Sequence, residues 1–110
     1  VPECDVFDFA TQSWSRIPSP AVERISPELV ALDGALYLAA GSARAGADAP
    51  PGPALSIERF DPARGVWETF LERLPFDPTH VRMSAHRGRL LVVSTHDTQA
   101  RTLRVAWITP

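Results

Sequence analysis

The ten residues DVFDFATQSW (5–14) return without a gap as ERFDPARGVW (58–67). Phe7 falls on Phe60, Asp8 on Asp61, Ala10 on Ala63 and Trp14 on Trp67, always 53 positions apart. A second motif keeps nearly the same period, because VALDGALYLAAG (30–41) recurs as SAHRGRLLVVST (84–95) with Gly34 on Gly88, 54 positions apart. A third, weaker pair likens ALSIERFDP (54–62) to TLRVAWITP (102–110), with Phe60 set against Trp107 at the shorter shift of 47. A unit of about 50 residues repeated in this way is a supersecondary unit that buries its faces by stacking on copies of itself.

The units are built of strands. Eleven prolines spread along the chain leave few windows for a long helix. ELVAL and ALYLAA flank Asp33-Gly34, and HVRMSA and RLLVVS flank Arg87-Gly88, as a two-residue hairpin with positive φ at both turn positions requires. LSIERF and VWETF are joined by a turn over 61–65 with Pro62 near its start and Gly65 at its end. The upstream copy joins CDVFDF to SWSRI through a polar turn. Lettering the strands of one unit a to d, the middle unit is complete, with a near 28–32, b near 35–40, c near 55–60 and d near 66–70. The count along the chain is nine strands, grouped two, four and three.

These residues resemble the kelch repeat: Gly34 in the hairpin turn, Tyr37 and then Ala40-Gly41 closing strand b, Phe60-Asp61-Pro62 at the end of strand c, and Trp67 opening strand d. The usual glycine doublet is Ala40-Gly41 in the middle repeat and Ser94-Thr95 in the last, with Gly88 kept in its hairpin. The usual strand c tyrosine is Phe7, Phe60 and Trp107. The fold class implied is all-β, a portion of a kelch-type β-propeller with about two and a quarter four-stranded antiparallel blades. Residues 1–20 are strands c and d of one blade, 21–74 a complete repeat, and 75–110 strands a to c of a degenerate repeat. Trp14, Trp67 and the strand c aromatics are expected to fill the gap between neighbouring sheets, and Gly41 to sit where backbone runs close to backbone.

Propellers close with about four to eight four-stranded blades, so nine strands do not close one. Two copies would give eighteen strands, which four does not divide. The expectation is a fragment or split domain whose remaining blades lie on another chain. The opening VPECDVFDF has no initiator Met, which fits a piece of something longer, and has neither the basic segment nor the apolar core of a signal peptide.

In proteins of this kind ligands meet the loops of one face, those from b to c and from d to a. The b to c loop, 42–54, carries Ser42, Arg44 and Asp48. The d to a loops carry Glu23 and Arg24 in one copy and Asp77, Thr79, His80 and Arg82 in the next. Ser42, Arg24, Arg44, His80 and Arg82 are the candidate ligand-binding set. The resemblance implies for Arg24 a role in holding an acidic or C-terminal carboxylate of a bound peptide, a group that an arginine can fork. The alternative is a solvated arginine, or one paired with Glu23 or Glu28.

A net charge of −2, with eleven arginines and no lysine, gives no basic field for nucleic acid. No apolar run reaches the roughly 18 residues of a membrane span. The lone Cys4 fits a reducing compartment, here the cytoplasm. His80, His86 and His96 lack the spacing of a zinc site. Ser94, His96 and Asp97 supply the residue types of a hydrolase without the glycine-flanked serine elbow. Tyr37 and Cys4 are a blade apart, unlike the paired tyrosine and cysteine of propeller copper oxidases. No catalytic residue, metal or cofactor is therefore assigned. The function expected is recognition of a protein or peptide, with the resemblance implying the substrate adaptor of a ubiquitin ligase. A propeller enzyme or an actin-binding scaffold is the alternative.

Overall fold

Asp33 and Gly34 have φ of 49° and 79°, and Arg87 and Gly88 of 50° and 77°, so two hairpins 54 positions apart turn on the same backbone geometry. The structure, a computed structural model, describes residues 4–43, 48, 50–76, 80–94 and 103–110. The first hairpin pairs β1 (Cys4–Asp8) with β2 (Ser13–Ile17). A four-stranded sheet follows in the order β3 (Glu28–Leu32), β4 (Ala35–Ala39), β7 (Ile57–Asp61), β8 (Val66–Leu71). The third sheet holds β9 (Val81–His86), β10 (Arg89–Ser94) and β11 (Arg104–Ile108) as three antiparallel neighbours. The chain is thus all-β, in the two, four and three strands expected of propeller blades. The loop after β4 adds one two-residue pair, β5 (Ser42–Ala43) with β6 (Gly52–Pro53), where a plain loop was expected. Among the described residues no helix is long and apolar enough to cross a membrane.

The turns after strand c repeat in detail. Asp8 Oδ1 accepts the Ala10 N–H at 2.8 Å, and Asp61 Oδ1 accepts the Ala63 N–H at 2.9 Å. Each turn then closes on a residue of positive φ, Gln12 at 54° and Gly65 at 68°. The aspartate side chain replaces a backbone acceptor at the reversal, which explains its place in both copies.

Packing follows the alternation of each strand. In β4 the odd-numbered Ala35, Tyr37 and Ala39 are buried in one cluster with Val81, Met83, Leu90 and Val92 of the third sheet. In β10 it is the even-numbered residues that face this core. Successive sheets therefore present opposite faces to the interface between them, which is how blades stack, and strand β3 lies beside strand β9 at the inner edge. Full burial of Ile57, Leu90 and Val92 contributes about 1.5–3 kcal/mol for each side chain.

Three expectations are corrected. Leu36 stands opposite Phe60, whereas its equivalent Leu90 stands opposite Ile108, so Ile108 and not Trp107 holds the Phe60 place. Trp107 instead lies on the outward face of the third sheet, 46% exposed, with the Arg89 guanidinium 4.3 Å above its ring. Trp14 pairs with Phe7 across the first hairpin as Trp67 pairs with Phe60, yet Trp14 is 71% exposed, whereas Trp67 is half-buried and donates to the Pro18 carbonyl. Strand b ends at Ala39, one residue early, because Ala40 leaves the extended region with φ of 62°.

Candidate ligand cleft

The backbone bends sharply where strand b meets the b to c loop, and that bend forms the floor of a cleft of about 520 Å³. Ala40 and Gly41 both have positive φ, 62° and 81°. A Cβ on Gly41 would lie 2.6 Å from the Ile25 carbonyl oxygen, so only glycine lets the connector before β3 pass this close. Ile25 and Ser42 seal the crossing with two backbone hydrogen bonds, 2.9 and 3.0 Å.

The cleft lies among the b to c loop, the connector into β3 and the start of β9. Ser42, His80 and Arg82 of the candidate set line it together. Ile25, 69% exposed, and Pro51 and Pro53 supply apolar wall. Arg44, and with it Asp77 and Thr79, lies outside the described residues, whereas Asp48 is exposed.

Arg24 is elsewhere. Its side chain is 1% exposed and turned inward, where Nη2 meets Glu58 Oε2 at 3.2 Å, and Glu58 is as deeply buried. Arg24 also donates to the carbonyls of Ala40 at 3.3 Å and Ser56 at 3.0 Å and to Ser56 Oγ at 3.0 Å. Its carboxylate partner is thus Glu58, not Glu23, Glu28 or a ligand at the surface. Glu58 in turn accepts the backbone N–H groups of Ala21 at 2.7 Å and Val22 at 3.3 Å. The pair therefore pins the incoming connector onto strand β7 and holds Ala40, a cleft residue, from behind.

Two polar lining residues escaped the sequence reading. Glu28 accepts the Met83 N–H at 3.3 Å and faces Arg82 at 3.8 Å. Ser26 has φ of 56°, matching His80 at 55°. Both relationships carry the 54-residue shift, Glu28 with Arg82 and Ser26 with His80, so the repeat alignment extended into the connectors would have exposed them. Of the six non-glycine residues with positive φ among the described residues, Gln12, Asp33 and Arg87 sit in tight turns, and the other three, Ser26, Ala40 and His80, all line the cleft. Such conformations gather where surrounding structure holds a site in shape.

Other constellations remain apart. Ser94 is 4% exposed, while His96 and Asp97 lie outside the described residues. Among the described residues no three His, Cys, Asp or Glu side chains converge as a metal site would need.

No family model matches the chain. Over 80 residues, 73% of its length, it is 35% identical to Kelch repeat and BTB domain-containing protein 13 of Homo sapiens. The chain therefore contains a kelch-like region, and the match spans 16% of that relative.

Proposed function

We propose that the chain is a protein-recognition module, part of a kelch-type propeller, that binds an extended segment of a partner protein in the cleft. The observation that carries this reading is the convergence of Ser42, from the b to c loop, with His80 and Arg82, from the start of β9, on one cleft with an apolar wall. Loops on a rigid sheet scaffold are the usual seat of recognition. Arg82 has a side chain 79% exposed and stands 3.8 Å from Glu28, beyond hydrogen-bond length, so its fork can turn to a ligand carboxylate. The Ser42 hydroxyl adds a donor and acceptor, and Ile25, Pro51 and Pro53 receive an apolar side chain. The buried Arg24 and Glu58 act behind the cleft. The reading assigns the chain no chemistry of its own.

The finer role, substrate adaptor for a ubiquitin ligase in the cytoplasm, draws its support from the family resemblance and from similarity to a protein named for kelch repeats and a BTB domain. The sheets needed to complete a propeller come from further polypeptide.

Selection of a displayed random peptide library on the immobilised chain tests the reading. Selected peptides should lose affinity by at least about tenfold with Arg82→Ala, the loss of one charge-assisted hydrogen bond, and keep it with Arg64→Ala on strand β8. Peptides indifferent to both Arg82→Ala and Ser42→Trp would overturn it, as would the recovery of none.

A further inference from the structure

We propose that the segment bound in the cleft carries two opposite charges on one side, a lysine or arginine for Glu28 and an aspartate or glutamate for Arg82, two residues apart. The inference rests on the recognition reading and names the chemistry of its ligand.

The cleft holds both signs of charge. Of its lining residues, Glu28, His80 and Arg82 are the ones that ionise. Glu28 and Arg82 occupy one repeat position, 54 apart, so neighbouring repeats present opposite charges at the same place. Glu28 opens β3 and Arg82 is the second residue of β9, and these two strands lie side by side. Both charges therefore sit on the sheet framework rather than on a loop.

The two are held unequally. The Glu28 side chain is 25% exposed, and its Oε1 accepts the Met83 N–H at 3.3 Å, so strand β9 fixes it in place. Its other oxygen, Oε2, has no protein partner among the described residues. Arg82 is 79% exposed, and its Nη1 lies 3.8 Å from Glu28 Oε1. An ion pair this long and this open to water contributes little, so Arg82 swings away at little cost.

Closing the cleft makes Glu28 the deciding group. A segment laid across Ser42, Pro51 and Pro53 displaces water from the cleft those residues line. Once Arg82 turns to a ligand carboxylate, Glu28 keeps one backbone hydrogen bond and no cation. A carboxylate that loses water without a counter-charge is costly, and the ligand's own carboxylate nearby adds repulsion. A ligand ammonium or guanidinium on Glu28 Oε2 removes both penalties. A ligand cation alone would instead meet the guanidinium of Arg82. One charge of each sign satisfies both residues.

The spacing follows from strand geometry. In an extended segment the side chains at i and i+2 share a face about 7 Å apart, whereas i+1 points away. With Arg82 turned outward, the charges to be met stand farther apart than the 3.8 Å of the pair, which suits that spacing.

Selection of a displayed random peptide library on three immobilised forms of the chain, wild type, Glu28→Gln and Arg82→Gln, tests the proposal. Glutamine keeps an oxygen for the Met83 N–H, so Glu28→Gln removes the charge and retains the hydrogen bond. Peptides selected on the wild type should carry a basic and an acidic residue two apart. Those selected on Glu28→Gln should lose the basic residue and keep the acidic one, and those selected on Arg82→Gln the reverse. As a free peptide, the tightest wild-type ligand should bind Glu28→Gln at least about tenfold more weakly, and glutamine in place of its basic residue should erase that difference. Wild-type peptides without a basic residue, or with one that Glu28→Gln leaves at full affinity, would overturn this inference while the recognition reading stands. Recovery of no peptide, or of peptides indifferent to every change in the cleft, overturns both.

Discussion

Arg24 and Glu58 meet at 3.2 Å with side chains 1% and 2% exposed, and through them the connector between two sheets is tied to the strand that ends in Phe60. Two charges withdrawn from water are held by mutual attraction and by five further donors and acceptors around them, so the cost of losing one partner exceeds the net worth of the pair. Glu58→Ala should destabilise the fold by about 3–5 kcal/mol, because it strands a buried guanidinium. Glu58→Leu combined with Arg24→Met should cost far less than the sum of the single changes. Urea unfolding of the three variants measures both statements.

Gly41 and Ala40 are neighbours with positive φ but respond to opposite substitutions. Gly41→Ala drives a methyl to 2.6 Å from the Ile25 carbonyl and should displace the connector, which a loss of the cleft and a large fall in melting temperature would report. Ala40→Gly relieves a left-handed residue worth about 1–2 kcal/mol, offset by one buried methyl and by added freedom in the unfolded chain. Its measured stability should lie within about 1 kcal/mol of the wild type.

Trp67 and Trp14 occupy one repeat position in two environments. Trp67 packs on Phe60 with ring centroids 5.2 Å apart and donates Nε1–H to the Pro18 carbonyl at 2.7 Å. Trp67→Ala should cost about 2–4 kcal/mol, less than a fully buried ring because this one is half-buried. Trp14→Ala should change stability by only about 0.5–1 kcal/mol, as for a largely exposed residue. Thermal melts compare the two directly.

Burial first, and the neighbouring Asp5 carboxylate second, push the Cys4 thiol above its ordinary value. Both disfavour the thiolate, so at a given pH the reactive fraction falls and the titration of reactivity moves to higher pH. Alkylation of Cys4 by iodoacetamide should be slower at pH 8 than that of an exposed thiol, and Asp5→Asn should move the reactivity midpoint back down.

Hairpins and turns were legible in the residues because their causes are local. Asp33-Gly34, Arg87-Gly88 and the aspartates at positions 8 and 61 each dictate a reversal within a few bonds, and strand alternation names the faces without reference to any other sheet. The register of β11 was also recoverable. Pro62 and Pro110, like Leu55 and Leu103, are 48 positions apart, and that shift sets Ile108 rather than Trp107 on Phe60. An aromatic match was the more conspicuous signal, and it misled.

Position relative to other sheets is a different kind of fact. Trp14 and Trp67 have equivalent partners on their own hairpins, Phe7 and Phe60, and a 71% exposed ring differs from a half-buried one in that the Pro18 carbonyl, 49 residues away along the chain, reaches Trp67. Arg24 reads as a loop cation, and its burial depends on Glu58, 34 residues away, arriving beneath it. The convergence of Ser42, His80 and Arg82 on one cleft likewise needs two segments, the b to c loop and the start of β9, brought together. Local chemistry therefore determined the strands, their turns and their repeat. Tertiary packing alone decided which aromatic is covered, which arginine is buried and where a cleft opens, because each of these depends on contacts between residues that the repeat period holds far apart along the chain.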